Sequence, residues 1–188
     1  MIDEAKIKTA VASIIKAIGE DPKREGLVDT PSRVAEMYVE LFAGLDTNPK
    51  EELTVSYELG HREMVILKDI PFYSMCEHHF LPLYGVAHIG YIPDVDGRVV
   101  GISKLARVVE IVARRPQIQE RMTTQIADAI FEGLKPEGVA VVVQAEHMCM
   151  IMRGIKKPGS SITTSAIRGI FSRKAETRAE FFSLLQGK

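Results

Sequence analysis

Two short segments of the sequence concentrate the residue types that bind transition metals and transfer protons. Cys76 and His79 have a Cys-x-x-His spacing, which lets both side chains reach one tetrahedral ion from a single turn. Cys149 follows His147 by two positions, so in a continuous strand both side chains would lie on one face and approach the same point. Thiolate and imidazole ligands from two segments favour zinc, and we expect Cys76, His79 and Cys149 to bind it.

One histidine in each segment, His78 and His147, is left over after the ligands are assigned. A structural zinc site uses four protein ligands, whereas a catalytic zinc keeps three and leaves one position open, and two cysteines with one histidine fit the second kind. The surplus histidines would then move protons. Two alternatives stay open: a structural zinc with the spare histidines in the core, and a disulfide between the two cysteines, which a reducing compartment disfavours.

A second group of residues has the composition of an anion site. Lys104 and Arg107 lie three positions apart, so they share one face of a predicted helix, in its first turn. Free N–H groups there already favour anions, while cations are not stabilised by the helix dipole at that end. This mismatch indicates an anionic ligand, with solvated surface charge as the alternative. Arg153, Lys156 and Lys157 could add phosphate contacts, although alone they are typical of a plain basic turn.

Gln119 and Glu120 begin another predicted helix. We expect Ile118 to point to the core, so that Gln119 and Glu120 point elsewhere. A carboxylate accepts two parallel N–H bonds, which suits an amide-plus-amine edge such as that of guanine. Glutamate in a first helical turn is also an ordinary partner of the helix dipole, so this signal is weak alone.

Helical periodicity dominates the N-terminal part of the chain. Apolar residues at three- and four-residue spacing predict a helix over 3–19 and a second one that Thr30 caps, with Pro31 in its first position. The following loop predicts a boundary between an N-terminal helical segment, 1–48, and a catalytic domain, 49–188.

The remaining chain alternates strand-like segments with two consecutive helices, which predicts an α+β domain with a mainly antiparallel sheet. Strands are predicted over 53–59, 63–73, 84–92, 99–102, 139–152 and 161–171, with the last two paired. Helices are predicted over 104–115, 117–134 and 175–186. A hairpin turn is expected over 94–97, and Ser103 is expected to cap the first of these helices.

Composition narrows the class of protein. The 188 residues suffice for one domain with its own core, or for one domain plus a helical appendage. The formal net charge of −1 argues against a general nucleic-acid binder, which would show a basic excess. No apolar run approaches the length of a membrane span, and the N-terminus has no apolar stretch typical of a signal peptide. We therefore expect a cytoplasmic protein without nucleic-acid or membrane partners.

Taken together, these motifs resemble GTP cyclohydrolase I of the type IA family over nearly the whole chain. The specific parts are Ser74-x-Cys76-Glu77-His78-His79, Gly101-Ile102-Ser103-Lys104, Arg115-Pro116-Gln117-x-Gln119-Glu120-Arg121, and His147-x-Cys149 with Arg153. None of these positions departs from the family pattern. The resemblance implies the T-fold, with a mainly antiparallel sheet, helices on one side and an N-terminal helical segment, and with sheets of several subunits joined into a barrel.

The resemblance also implies a reaction, an assembly and a role for each residue. GTP and water would give 7,8-dihydroneopterin triphosphate and formate, the first step of tetrahydrofolate and pterin biosynthesis, in a homodecamer with active sites at subunit interfaces. By this resemblance, Cys76, His79 and Cys149 would bind zinc, and His78 and His147 would transfer protons. Glu120 with Gln119 would bind the guanine, and Ser103 would contact the ribose. The triphosphate would be bound by Lys104, Arg107 and Arg153, with Arg33 reaching a neighbouring subunit's phosphate.

Three other classes of protein fit this sequence less well. A nucleobase deaminase would carry H-x-E with P-C-x-x-C, and neither occurs in the sequence. A dithiol redox protein usually carries C-x-x-C, which is also absent. A non-catalytic module stapled by zinc would have no use for the surplus histidines, for Glu120 or for the Lys104 and Arg107 pair.

Overall fold

The computed structural model describes residues 2–54 and 56–187. Its helices are α1 Glu4–Ala17, α2 Thr30–Leu41, α3 Ile102–Ala113, α4 Gln119–Leu134, α5 Met148–Ile151, α6 Ile170–Arg173 and α7 Ala175–Gln186, with a 3₁₀ helix at Pro49–Leu53. Its strands are β1 Ser56–Glu58, β2 Val65–Cys76, β3 Pro82–Ile92, β4 Arg98–Val100, β5 Pro116–Gln117, β6 Gly138–His147 and β7 Ile162–Gly169. Residues 1, 55 and 188 belong to segments that were predicted from the sequence, and they lie outside the described part of the chain.

Five of the strands form the main sheet, in the order β5-β2-β3-β6-β7. The pairs β2–β3, β3–β6 and β6–β7 are antiparallel, and only the short β5 runs parallel to its neighbour β2. The α+β class and the mainly antiparallel sheet are thus confirmed, as is the predicted pairing of 161–171 with the preceding long strand. No helix in the described ranges is both long and apolar enough to cross a membrane.

The two faces of the sheet pack against different helices because side chains alternate along each strand. On β6, Val139, Val141 and Val143 lie in the main core, which includes the apolar faces of α3 and α4. The alternate residues, Ala140 and Val142, pack with the aromatic rings of the α6–α7 segment. The expectation of helices on one side therefore fits α3 and α4 and is corrected for the C-terminal segment, which covers part of the opposite face.

Two helix N-caps and one strand pairing also differ from the sequence-based predictions. Asp29, not Thr30, is the N-cap of α2, and Gly101, not Ser103, is the N-cap of α3, where the Lys104 N–H donates to the Gly101 carbonyl at 2.8 Å. The turn over 94–97 forms, but the strand after it pairs with β1 rather than with β3, so the hairpin prediction was wrong. That partner precedes β2 in sequence, which no local turn signal reveals.

The N-terminal segment is formed by α1 and α2, which pack on each other. Asp3 caps α1 by accepting from the Lys6 N–H at 3.0 Å. The end of the segment is tied to the body by the Arg115 guanidinium, which donates to the carbonyls of Gly44 at 2.8 Å and Thr47 at 2.7 Å. The division into 1–48 and 49–188 stays a prediction.

Substituting Gly90 with alanine is expected to destabilise the fold by about 1–3 kcal/mol, the usual range for overpacking a core. A Cβ at this position of β3 would lie 2.6 Å from ring carbons of Phe181. That ring is fully buried and packs edge-on against Phe171, so it has little room to move. Gly26→Ala is the control, since this glycine is exposed and a Cβ there would meet only the end of the flexible Arg24 side chain, at 3.0 Å. Equal urea-unfolding midpoints for the two variants would contradict the packing described for α7.

Candidate active site

The predicted metal ligands converge in the structure. One donor atom each from Cys76, His79 and Cys149 lies within 4.8 Å of the others, and the Cys76 Sγ is 3.9 Å from the His79 Nδ1. Two thiols and one imidazole at these separations are the donor set that suits zinc, and three protein ligands leave one position open. The residues therefore fit a catalytic zinc ion.

The turn that carries Cys76 and His79 is fixed by backbone bonds at the end of β2. The Cys76 N–H donates to the Leu81 carbonyl at 2.9 Å, and the Phe80 N–H donates to the Cys76 carbonyl at 2.8 Å. Glu77, between the two ligands, donates its N–H to the Gln117 carbonyl at 3.0 Å, and its carboxylate pairs with Arg121. The metal turn is thus held against the beginning of α4.

Cys149 reaches the other ligands by a route that the sequence pattern did not predict. The expected strand over 139–152 ends at His147, and Cys149 lies in the short helix α5. The Met152 N–H donates to the Met148 carbonyl at 3.0 Å, which closes that helical turn. The prediction that His147 and Cys149 lie on one face of a continuous strand is therefore wrong. A short apolar run does not by itself distinguish a strand from a helix.

The pKa of the Cys149 thiol depends on its position next to Cys76. Burial raises the pKa of the Cys149 thiol, and the nearby Cys76 thiol raises that pKa further. Two adjacent thiolates repel each other in the absence of a positive charge, whereas a divalent ion bound between them deprotonates its thiol ligands. The raised pKa of Cys149 thus reflects how close the two thiols lie, as ligands of one shared ion must.

Of the surplus histidines, His78 lies beside the three converging donor atoms, and His147 lies two residues before Cys149. His78 is exposed, and its Nδ1 is 3.9 Å from the Cys76 Sγ. His147 is half-buried at the end of β6, and burial lowers the pKa of its imidazole while the Glu120 carboxylate opposes that shift. Glu120 itself is exposed in the first turn of α4, so its charge acts on the site from the solvent side.

Gln119 does not point away from the core as predicted. Its side chain is only 1% exposed, its Nε2 donates to the Val143 carbonyl, and its Oε1 lies 2.8 Å from the His147 Nε2. The helix begins at Gln119, so the side chain shares the inner face with Met122, three residues further along. This buried contact with His147 was missed from the sequence.

The predicted anion site lies away from the metal ligands of the same chain. Lys104 and Arg107 do share one face, and both contact the Glu52 carboxylate, at 3.0 Å and 3.6 Å. The other end of α3 lies near the metal turn, where the Ser74 hydroxyl donates to the Ala113 carbonyl at 2.6 Å. Ala113 follows Lys104 by nine positions on the helix, which corresponds to about 14 Å along the axis.

The remaining candidate residues are placed as follows. The Arg153 Nη1 lies 3.0 Å from the His79 Nε2, so this cation is beside the metal group. Ser103 is exposed in the first turn of α3. Arg33 is exposed and pairs with Asp29 at 3.4 Å on α2. Glu52 was not recognised as a candidate site residue from the sequence, because it contacts Lys104 and Arg107 from a distant part of the chain.

Comparison with known proteins gives a consistent result. The sequence model of the GTP cyclohydrolase I family matches residues 7–186. GTP cyclohydrolase 1 of Dehalococcoides mccartyi strain CBDB1 is 71% identical over 188 residues, which is 100% of both chains. The protein of the same name from Halalkalibacterium halodurans is 60% identical over 99% of this chain and 98% of its own. A solved structure, the archaeosine synthase QueF-Like in the apo form, covers 56% of this chain and 93% of its own, with 20% identity and a TM-score of 0.46.

The family match spans both segments of the candidate metal site and the start of α4, which contacts each of them. The relatives are similar over essentially their full length, so no large part of either chain is left without a counterpart. The chain belongs to the GTP cyclohydrolase I family.

Proposed function

We propose that this enzyme hydrolyses and rearranges GTP to 7,8-dihydroneopterin triphosphate and formate, the first step of tetrahydrofolate and pterin biosynthesis. The observation that carries the proposal is the convergence of Cys76, His79 and Cys149, the last of them two residues after His147, in a chain of this family. Relatives named GTP cyclohydrolase 1 support the substrate and the reaction class.

The proposed cofactor is zinc, with Cys76, His79 and Cys149 as ligands. A zinc ion with an open position acts as a Lewis acid and lowers the pKa of water toward neutrality. His147 gives a proton to N7 of the guanine, which makes C8 susceptible to attack by water; an imidazole suits this because its pKa is near working pH. His78 serves the later proton transfers of ring opening, formate release and reclosure. The thiol ligands must stay reduced, which agrees with a cytoplasmic location.

Glu120 is the proposed guanine-binding residue. Its carboxylate is exposed, and its charge acts on His147, so a base held by it would lie next to the acid–base histidine. A carboxylate accepts from the N1–H and the 2-amino group of guanine in parallel. Gln119, which the resemblance assigned to the same edge, has its amide engaged inside the protein instead.

Triphosphate binding is proposed for Lys104, Arg107 and Arg153, with a ribose contact by Ser103. Arg153 lies at the metal group, but the Lys104 end of α3 is about 14 Å along the helix from the end that lies near that group. We infer that Lys104 and Arg107 contact the nucleotide bound at this metal group from a neighbouring subunit. This separation supports a homo-oligomer with shared sites, for which the family resemblance suggests a decamer and a further phosphate contact from Arg33.

The proposed activity is tested by incubating purified, zinc-loaded protein with GTP and following formate and pterin fluorescence. A parallel sample treated with a chelator and then reloaded with zinc tests the metal requirement. Product from the loaded sample, loss on chelation and recovery on reloading are expected. Zinc-loaded protein that forms no product would overturn the proposal.

Glu120→Ala is expected to raise KM for GTP by roughly 10- to 100-fold, as the loss of a bidentate, charge-assisted contact implies. Folding should be almost unaffected, because this side chain is exposed and has no salt bridge among the described residues. Steady-state kinetics and thermal unfolding measure the two effects. Glu176→Ala, an exposed glutamate in the first turn of another helix, α7, is the matched control. An unchanged KM in Glu120→Ala would contradict the assignment.

A further inference from the structure

The buried amide of Gln119 has surroundings that fix its orientation. Its Nε2 group donates to two backbone carbonyl oxygens, Val143 at 3.0 Å on β6 and Ile162 at 2.9 Å on β7. The Thr164 hydroxyl oxygen is a third neighbour, at 3.1 Å. Backbone carbonyls only accept hydrogen bonds, so the group that faces them must be the NH₂ and not the oxygen.

Rotating the amide by half a turn would place its oxygen against both carbonyl oxygens. Both hydrogen bonds would be lost in a site where the side chain is 1% exposed, so water could not replace them. The assignment of amide oxygen and nitrogen is therefore decided by the partners rather than by the shape of the group. The Gln119 Oε1 must face the opposite direction, toward His147.

This orientation determines which nitrogen of His147 carries a proton. The Gln119 Oε1 lies 2.8 Å from the His147 Nε2, and an amide oxygen can only accept. The Nε2 must therefore donate, and in the neutral ring, which has a single N–H, the Nδ1 is left with a lone pair. The contact with Gln119 thus decides which ring nitrogen donates a hydrogen bond and which one keeps its lone pair.

The support for Gln119 comes from three elements of the fold. Its backbone is the first residue of α4, and the Thr123 hydroxyl, one turn further along, donates to the Gln119 carbonyl at 2.8 Å. The Thr123 and Thr164 hydroxyl oxygens lie 2.6 Å apart, which links α4 to β7 at the same point. The acceptor for His147 is thereby held rigidly between the helix and strands β6 and β7.

We propose that Gln119 is a positioning residue that fixes the orientation of the His147 ring and holds it in the Nε2–H tautomer, so that Nδ1 is the nitrogen left for the substrate. The proposal rests on the proposed function, in which His147 moves the proton of N7. It replaces the expected role of Gln119 in guanine binding, because an amide whose NH₂ is held by two carbonyls and whose oxygen is held by His147 has little left to offer a base.

The tautomer is measured directly by ¹⁵N NMR of zinc-loaded, substrate-free protein labelled in its histidines. The signals of His147 are assigned by comparison with His147→Asn. We expect an N–H-type resonance for Nε2 and an imine-type resonance for Nδ1 of the neutral ring, in one tautomer. Gln119→Met, which keeps the length of the side chain but has no acceptor, should give a mixture of both tautomers. An imine-type Nε2 in the wild type would overturn the proposal.

Two further measurements separate this role from a substrate contact or a loss of folding. Gln119→Met should lower kcat about 10- to 100-fold, the usual effect of removing a partner that orients an active-site histidine, with KM for GTP little changed. A raised KM with an unchanged tautomer would instead identify Gln119 as a substrate contact. Thr164→Val removes a hydroxyl from the same amide and should keep the single tautomer and bound zinc; a mixture there would also count against the proposal.

The NMR measurement does not depend on turnover of GTP. A protein that fails to convert GTP, yet shows the single Nε2–H tautomer, would overturn the proposed function and leave the role of Gln119 standing. A protein that converts GTP but has His147 in the other tautomer would overturn the role of Gln119 and leave the proposed function standing. If Gln119→Met does not fold, the wild-type spectrum alone still decides.

Discussion

Cys149→Ser should abolish both zinc binding and GTP turnover. Zinc sites in proteins use thiolate, imidazole and carboxylate ligands, and a serine hydroxyl is not among them. The variant would therefore keep only two of the three ligands, Cys76 and His79. Metal catalysis contributes several kcal/mol of charge stabilisation, which corresponds to a loss of roughly a thousandfold or more in rate. Zinc content per chain and the rate of pterin formation measure the two effects in the same preparation.

The matched control for this substitution is Met150→Leu, which changes another residue of α5 and leaves all three donor atoms in place. It should keep one zinc per chain. If Cys149→Ser instead retained zinc and turned over GTP at the wild-type rate, Cys149 could not be a ligand, and the metal centre described above would be wrong.

His147→Ala is expected to keep zinc and lose turnover by roughly 10²- to 10⁴-fold, the range for removing a general acid–base group. The imidazole lies at the end of β6, with its Nε2 on Gln119 rather than in the group of converging donor atoms. Zinc content and single-turnover formation of formate separate binding from chemistry. His61→Ala, an exposed histidine elsewhere, is the control and should change neither. Loss of zinc from His147→Ala would mean that His147 is a ligand.

The metal group could be predicted because local spacing carries most of its geometry. Cys76 and His79 are joined by one turn, and a tetrahedral ion limits how far apart their donor atoms can be. The position of Cys149 was predicted for a reason that proved wrong, since a helical turn rather than a strand brings it to Cys76. The donor chemistry selected the residue, although the local structure was misassigned.

The burial of Gln119 could have been found from the same periodicity that was used for the apolar residues. Met122 and Ile126 lie three and seven positions after it, so a helix that buries them also buries residue 119. The predicted helix began two residues too early and placed Ile118 in that role. Polarity then suggested a substrate contact, whereas the partners of the amide are backbone carbonyls on two distant strands.

Contacts between distant parts of the chain could not be predicted. The pairing of β4 with β1, the contact of Glu52 with the Lys104 face, and the packing of Phe181 over Gly90 each join segments with no shared local signal. The last of these places α7 on the face of the sheet opposite α3 and α4. Such contacts depend on the topology of the sheet, which hydrophobic patterning leaves open.

GTP labelled with ¹³C at C8 tests the central claim most directly, because it follows the one carbon that the proposed reaction removes. We predict that zinc-loaded protein transfers the label to formate in an amount equal to the 7,8-dihydroneopterin triphosphate formed, as seen by ¹³C NMR, and that protein treated with a chelator forms neither. Label that stays in an intact nucleotide, or pterin that forms without labelled formate, would contradict the proposed reaction.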